Sequence, residues 1–576
     1  MPKASVIILT YSHADNIPAI LDALSGDDVE IIIAQDGLGR FIPIDYGRVK
    51  VYDHARTQPW QASKARNGGA RLAVTPYLLF LDDDHLPLPG WVDAHLQTLA
   101  DHDISIGLYD PEVVANLPGA DAPRQELVDE GRGMIWQMTY TGNLGMRAQA
   151  WRDVGGFDER YGGAYGHEDT DFGWMCYHAD ARFAFSPEAK VKRYADDDHP
   201  KSEAQVKPNL DRFVSKVKDA MRILIIYPGH EFSTYEVARG YTAALRHSGH
   251  VVETFLYHQV FAFCGKAITA NHGHENTDMA LALASRQIAP AVLDFVPDVV
   301  LNVCGMALMP QAWEYVWRLG VPMVTILTES PYQDANQAQF LDHGHALACL
   351  VNDRASLELM RGICRAEYLP HSYDPNYHYP RPPRDDIAPS DVVFVGSMYL
   401  ERERLFQAIN WDGINLKLVG SAVQFLADGA AKVTNGISNE LAIEHYRASK
   451  IGLTLHRTSQ GVDPADSGWR LNQIQNGEAY SLGPRTYEQA ACGLFQISDD
   501  QRPELFEVFA DSIPTFRNPA DAERLIRHYL RDDVERQALA VAQRERVKDC
   551  TFLNRAQGIV IPLLKEVKGY GSYRNW

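Results

Sequence analysis

The chain has 576 residues, too many for one hydrophobic core, so several globular lobes are expected. It is 45% hydrophobic and 23% charged, the make-up of a folded protein rather than a disordered one. Its formal charge of -20 argues against a general nucleic-acid binder, whose affinity for phosphate backbones rests on Lys and Arg. The seven cysteines, none spaced Cys-x-x-Cys, read as reduced thiols. No apolar run approaches the length needed to span a bilayer, and the N-terminus enters a strand without a signal-peptide cleavage pattern. A cytoplasmic location is expected.

Residues 6–10 read as an apolar strand, 15–25 as a helix and 29–34 as a second strand. Such alternation implies a parallel sheet, whose ligands lie beyond the carboxyl ends of the strands. Three strand ends carry polar groups: Thr10-Tyr11-Ser12, Gln35-Asp36-Gly37 and Asp82-Asp83-Asp84. Asp36 reads either as an acceptor for a base or ribose, or as a plain Asp-Gly turn. Residues 63–70 open a helix from which Arg66 either faces a diphosphate, positions Asp82 or stands exposed.

The strand Tyr77-Leu78-Leu79-Phe80-Leu81 is short and apolar enough to be central, and it ends in the three aspartates. Adjacent carboxylates repel unless something positive sits between them. Alternation along extended backbone turns Asp82 and Asp84 one way and Asp83 the other. Two hard oxygen ligands suit Mg²⁺ or Mn²⁺, with phosphate oxygens completing the shell. The plain alternative is a solvated acidic turn.

Further on come Gly142-Asn143-Leu144-Gly145, Gly155-Gly156-Phe157-Asp158-Glu159 and Gly166-His167-Glu168-Asp169. Glu168 and Asp169 start a helix, where the dipole stabilises a carboxylate. A carboxylate so placed can take a proton from an acceptor hydroxyl, or merely cap the helix. Residues 111–133 read as an acceptor-side loop. Trp136 and Tyr140 read as sugar-stacking platforms or as core.

In this order the motifs resemble the GT-A glycosyltransferases of the inverting family two, over residues 4–200. The resemblance implies that Asp36 binds the nucleotide and that Asp82 and Asp84 serve the metal and diphosphate. It implies that Asp169 is the catalytic base and that Glu168 helps bind the acceptor. Arg66 and Asp83 are grouped with the donor-binding residues. Relatives supply a later His as a metal ligand; His199 is the choice here, with His85 competing.

Residues 200–220 are polar, Pro-punctuated and then basic and amphipathic, and residues 221–229 read as the start of a fresh α/β fold. Strands follow at 222–227, 251–256, 299–303, 323–328 and 348–351. No Gly-x-Gly-x-x-Gly follows the first of these, which argues against NAD. A second αβ series has strands at 392–395, 416–419, 451–455 and 494–498. Gly396-Ser397 ends the first of them. Pro484 to Gly493 reads as a helix with Arg485 and Glu488 on one face. Arg485 can hold a diphosphate at the helix start and Glu488 can grip ribose hydroxyls. A solvated i,i+3 ion pair is the alternative.

Two Rossmann-like lobes with this helix in the second resemble GT-B glycosyltransferases, nearest the CgeB-like and family-four groups. The resemblance implies that Glu488 binds ribose, Arg485 the diphosphate, and Gly396-Ser397 a phosphate. Family-four members carry another Glu eight residues earlier, where this chain has Tyr480. His230, Glu231 and Glu329 are weaker acceptor-side choices.

The expectation is an α/β chain of three parts: a GT-A domain (1–219), a GT-B N-terminal lobe (220–390) and a GT-B C-terminal lobe (391–576). It would transfer sugars from UDP-, GDP- or dTDP-sugars to a carbohydrate, glycoprotein or glycolipid acceptor. The first site would need Mn²⁺ or Mg²⁺ and the second no metal. The alternative is that the second half only binds the acceptor.

Overall fold

The computed structural model describes residues 2–11, 13–37, 49–55, 57–109, 134–193, 201–228, 233–305, 308–343, 346–398, 400–420, 431–433, 438–457 and 479–571. They divide into two compact units: Met1–Met221 with Thr242–Val252, and Arg222–Tyr241 with Glu253–Trp576. Among the described residues no helix is long and apolar enough to cross a membrane.

The first unit is built on one mixed sheet. Its strands are β1 (Ala4–Thr10), β2 (Val29–Gly37), β3 (Val49–Ala55), β4 (Tyr77–Asp82), β5 (His85–Pro87), β6 (Ile104–Tyr109), β7 (Asn143–Arg147) and β8 (Phe183–Arg193). They lie in the order β3-β2-β1-β4-β7-β6-β8-β5. The first four are parallel and β7 runs antiparallel to β4. β4 is central, as its unbroken apolar run predicts. Leu78, Leu79, Phe80 and Leu81 are fully buried, and side chains of alternate parity enter cores on opposite faces of the sheet. The carboxyl ends of β1, β2 and β4 therefore open along one edge, where the polar residues cluster.

Just before the division at Met221, the amphipathic stretch forms a helix, Glu203–Lys218, that continues through Pro208 and packs into the first unit. Asn209 donates to the carbonyls of Ala164 and Gly166 at 3.0 and 2.9 Å. Lys216 is buried between Asp171 (2.7 Å) and Asp158 (3.3 Å). A buried ammonium between two carboxylates is a fixed tie, not a linker contact.

The second unit holds two six-stranded sheets. The first contains β9 (Arg222–Ile226), β10 (Val251–Phe255), β11 (Val299–Val303), β12 (Met323–Ile326), β13 (Ala348–Val351) and β14 (Arg365–Tyr368) in the order β10-β9-β11-β12-β13-β14. The other contains β15 (Ser390–Val395), β16 (Leu416–Val419), β17 (Ala431–Val433), β18 (Ser449–Thr454), β19 (Phe495–Asp499) and β20 (Thr515–Phe516) in the order β17-β16-β15-β18-β19-β20. The recorded pairings in both are parallel, and the strands are apolar on both faces, as parallel strands covered by helices must be. The closing helix Ile561–Gly571 returns to the earlier lobe, where Lys568 reaches Asp298 at 3.0 Å.

Candidate active sites

At the tip of β4 the three aspartates part company. Asp83 turns toward β1, and its Oδ2 accepts from the Thr10 hydroxyl (2.8 Å) and the backbone N–H groups of Tyr11 and His13 (3.0 Å each). This oxygen is spent on shaping the turn after β1, a structural duty that grouping Asp83 with the donor-binding residues does not foresee. Asp82, Asp84 and His85 gather instead, with one ligand atom of each within 4.8 Å of the others. Arg193 Nε donates to Asp84 at 3.1 Å, and His85 Nδ1 lies 2.5 Å from the same carboxylate. Burial alone would raise the pKa of Asp84, but these two neighbours hold it well below the usual carboxylate range.

Gly142 faces this cluster. A Cβ on it would lie 3.0 Å from His85 Cε1 and 3.1 Å from Asp82 Oδ2, so a side chain there would crowd both. Two carboxylates and an imidazole with room beside them form a donor set suited to a hard divalent cation. His199 lies outside the described residues, as do the 111–133 loop, His230 and Glu231.

Arg66, from the helix Ala62–Leu72, is the buried link of the site. Its guanidinium donates to Asp82 (2.8 Å) and to Glu168 (3.3 Å), so it joins the β4 tip to the start of the helix Glu168–Tyr177. Its helix is tied to the Gly155-Gly156-Phe157 turn by Asn67, which donates to Phe157 O and accepts from Phe157 N–H. Beside Glu168, Asp169 is half-buried. Desolvation, then the charge of Glu168, pushes it up to about 7, against the pull of Arg66. Asp36 is buried at the end of β2, and its Oδ2 accepts from Gln61 N–H at the entry to the Ala62–Leu72 helix.

The two aromatic platforms separate. Trp136 packs against Trp174, Tyr177 and Phe213 and is core, whereas Tyr140 is 39% exposed.

In the second unit Gly396 (φ +157°) and Gly420 (φ +139°) end β15 and β16, and a Cβ on Gly420 would strike the Gly396 carbonyl at 2.2 Å. Only glycine permits this crossing. Ser397 O accepts from Arg402, whose other Nη donates to Leu455 O, so one guanidinium ties the ends of β15 and β18.

Arg485 and Glu488, on the helix Pro484–Ala491, pair at 2.8 Å; Glu488 is 7% exposed, so this is not the solvated pair considered from sequence. Arg485 also donates to Asn439 (2.9 Å), and His378 lies 4.0 Å from Glu488. Glu236 and Arg239 approach from the helix that follows β9, and Arg239 lies 3.5 Å from Glu440. No local sequence signal marks Glu236 or Arg239, because a partner such as Glu440 lies more than 200 residues away. Glu329 lies 3.8 Å from Arg457, and burial raises its pKa. Tyr480 donates to Glu507 and accepts from Arg354 (3.0 Å), a position set by local contacts.

Residues 5–116 match a family model described as glycosyl transferase family 2, and residues 402–560 match one described as glycosyl transferase-like. Among curated proteins the chain is similar to validoxylamine A glucosyltransferase of Streptomyces hygroscopicus subsp. jinggangensis, at 27% identity over 38% of this chain and 61% of that protein. It is also similar to pre-mycofactocin glycosyltransferase of Mycobacterium tuberculosis, at 26% identity over 32% of this chain and 42% of that one. The match thus spans under two thirds of each relative. Among solved structures, sucrose-phosphate synthase from Thermosynechococcus elongatus overlaps 60% of this chain and 99% of its own, at 14% identity and a TM-score of 0.41. Anabaena Alr3699/HepE in complex with UDP-glucose overlaps 60% of this chain and all of its own, at 13% identity and the same score.

Proposed function

We propose that this chain, which carries one segment of glycosyl transferase family 2 and one glycosyl transferase-like segment, transfers sugars from nucleotide-sugar donors at two separate sites. The observation that carries the reading is the linkage by buried Arg66 of the Asp82/Asp84/His85 cluster to Glu168, the neighbour of Asp169.

In the first site Asp82, Asp84 and His85 would hold a Mn²⁺ or Mg²⁺ ion. That ion, when bound, would serve as a Lewis acid toward the departing diphosphate. Asp36 contacts the nucleotide base or ribose. Asp83 fixes the turn after β1 on which the donor rests. Asp169, with a pKa near neutrality, takes the proton of the acceptor hydroxyl as the glycosidic bond forms. Attack from the side of the sugar opposite the leaving group inverts the anomeric centre. Arg66 holds Glu168 and Asp82 at a fixed separation, so acceptor and donor are presented together.

In the second site Glu488 grips the ribose and Arg485, with the Gly396-Ser397 turn, faces the diphosphate. The nearby cations are side chains, which supports a transfer independent of metal. The acceptor is a carbohydrate or glycoconjugate, and the product of one site can serve the other. Binding of Mn²⁺, followed by electron paramagnetic resonance on the full chain, tests the first site. One stoichiometric ion lost in Asp84→Ala is expected. Retention of that ion at wild-type affinity overturns the assignment.

A further inference from the structure

His456 stands at the carboxyl end of β18, and nothing above assigns it a role. The ring is 7% exposed. Its Nδ1 lies 2.8 Å from Asp499 Oδ1, and its backbone N–H donates to Asp499 Oδ2 at 2.6 Å. One carboxylate from the end of the neighbouring strand β19 therefore fixes both the backbone and the ring. With Nδ1–H donated to Asp499, the other nitrogen is the one left to act. That Nε2 is buried and has no hydrogen-bond partner among the described residues. A buried polar atom without a partner is costly, and a ring locked by a carboxylate cannot rotate to find one.

The surroundings say what would complete it. Charged groups gather around this strand end: Arg402 donates to Leu455 O, Arg502 donates to Arg457 O, and Glu329 lies 3.8 Å from Arg457. Among the described residues Asp499 is the carboxylate bonded to the ring, and the Ser397 turn is tied to the same strand end through Arg402. The site is thus rich in cations and adjoins a turn already read as phosphate-binding. An imidazolium donates from both nitrogens, so with Nδ1–H held by Asp499 the Nε2–H is the donor that can face an anion.

We propose that His456, oriented by Asp499, is a diphosphate contact of the second site, with Nε2–H as the donor to a phosphate oxygen of a nucleoside diphosphate. This rests on the reading of that site as one for nucleotide sugars. Asp499 is a positioning residue, because it acts through the ring.

The test is calorimetric binding of UDP, GDP, dTDP and the matching nucleosides to the full-length protein, with EDTA present to silence the first site. His456→Ala should weaken the bound diphosphate by about tenfold or more while leaving the nucleoside alone unchanged. His456→Gln, whose amide N–H reaches near the Nε2 position, should restore much of the loss. Asp499→Asn should fall between. Equal diphosphate affinity in wild type and His456→Ala overturns the proposal, as does parallel loss of diphosphate and nucleoside. If the wild type binds none of the three diphosphates, the nucleotide-sugar reading of this unit fails, and the proposal with it. Loss of binding in His456→Gln with an unchanged melting temperature also counts against Nε2.

Discussion

The two units place their polar groups at the same position, the carboxyl ends of sheet strands, but with opposite sign. In the first, the tip of β4 gathers Asp82 and Asp84, two carboxylates with one imidazole. In the second, the tip of β18 gathers His456 and Arg457, with Arg402 and Arg502 bonded to its carbonyls. A departing diphosphate carries negative charge in either case. On the proposed reading the first arrangement, whose Arg66 and Arg193 are already paired with Asp82 and Asp84, would receive it with an added cation, whereas the second would draw on side-chain cations. The topology chooses the location, and the side chains choose the means.

This contrast can be broken at several points. The largest effect is expected for Asp84→Ala, which should slow the metal-dependent transfer on the order of 10³-fold and leave the other intact, as read by nucleotide release with each donor. Next is Lys216→Met, which leaves Asp158 and Asp171 buried without their shared cation. It should cost about 3–5 kcal/mol in the first unit, measured as the shift of that unit's unfolding transition, with the second unit's transition unmoved. Glu488→Gln should weaken donor binding in the second site about tenfold to hundredfold, through loss of charge-assisted hydrogen bonds to the ribose. The smallest effect is a pH shift. The first transfer should rise with pH as Asp169 deprotonates around 7. Glu168 raises that value, so Glu168→Gln should move the rising limb to lower pH; an unmoved limb would remove Asp169 from the role of base.

The strands and the helix bearing Arg485 were legible because apolar runs and capping glycines are local signals. β11 and β13 fall on the residues read from sequence, 299–303 and 348–351. Alternation suggested that Asp82 and Asp84 would share a side, and they do, although Asp83 and Asp84 lie in the turn after β4 rather than on extended chain. Other features were not. The stretch before Met221 read only as polar, Pro-punctuated and then amphipathic, because the purpose of the helix Glu203–Lys218, burial of Lys216 against Asp171, lies in a partner 45 residues away. Trp136 could equally be core or platform until Trp174 and Phe213 were placed against it. His456 follows the strand read at 451–455, but nothing local marks its bond to Asp499, 43 residues on. Side-chain pairing across long separations is fixed by the fold and leaves no periodic trace.

The most direct test is nucleotide release from a panel of nucleotide sugars, measured for the wild type, Asp84→Ala and Glu488→Gln, each with Mn²⁺ and with EDTA. Two activities are predicted, one lost with EDTA and strongly reduced in Asp84→Ala, the other reduced only in Glu488→Gln. If either single change, in a folded protein, removes both transfers, the two sites are not separate and the account is wrong.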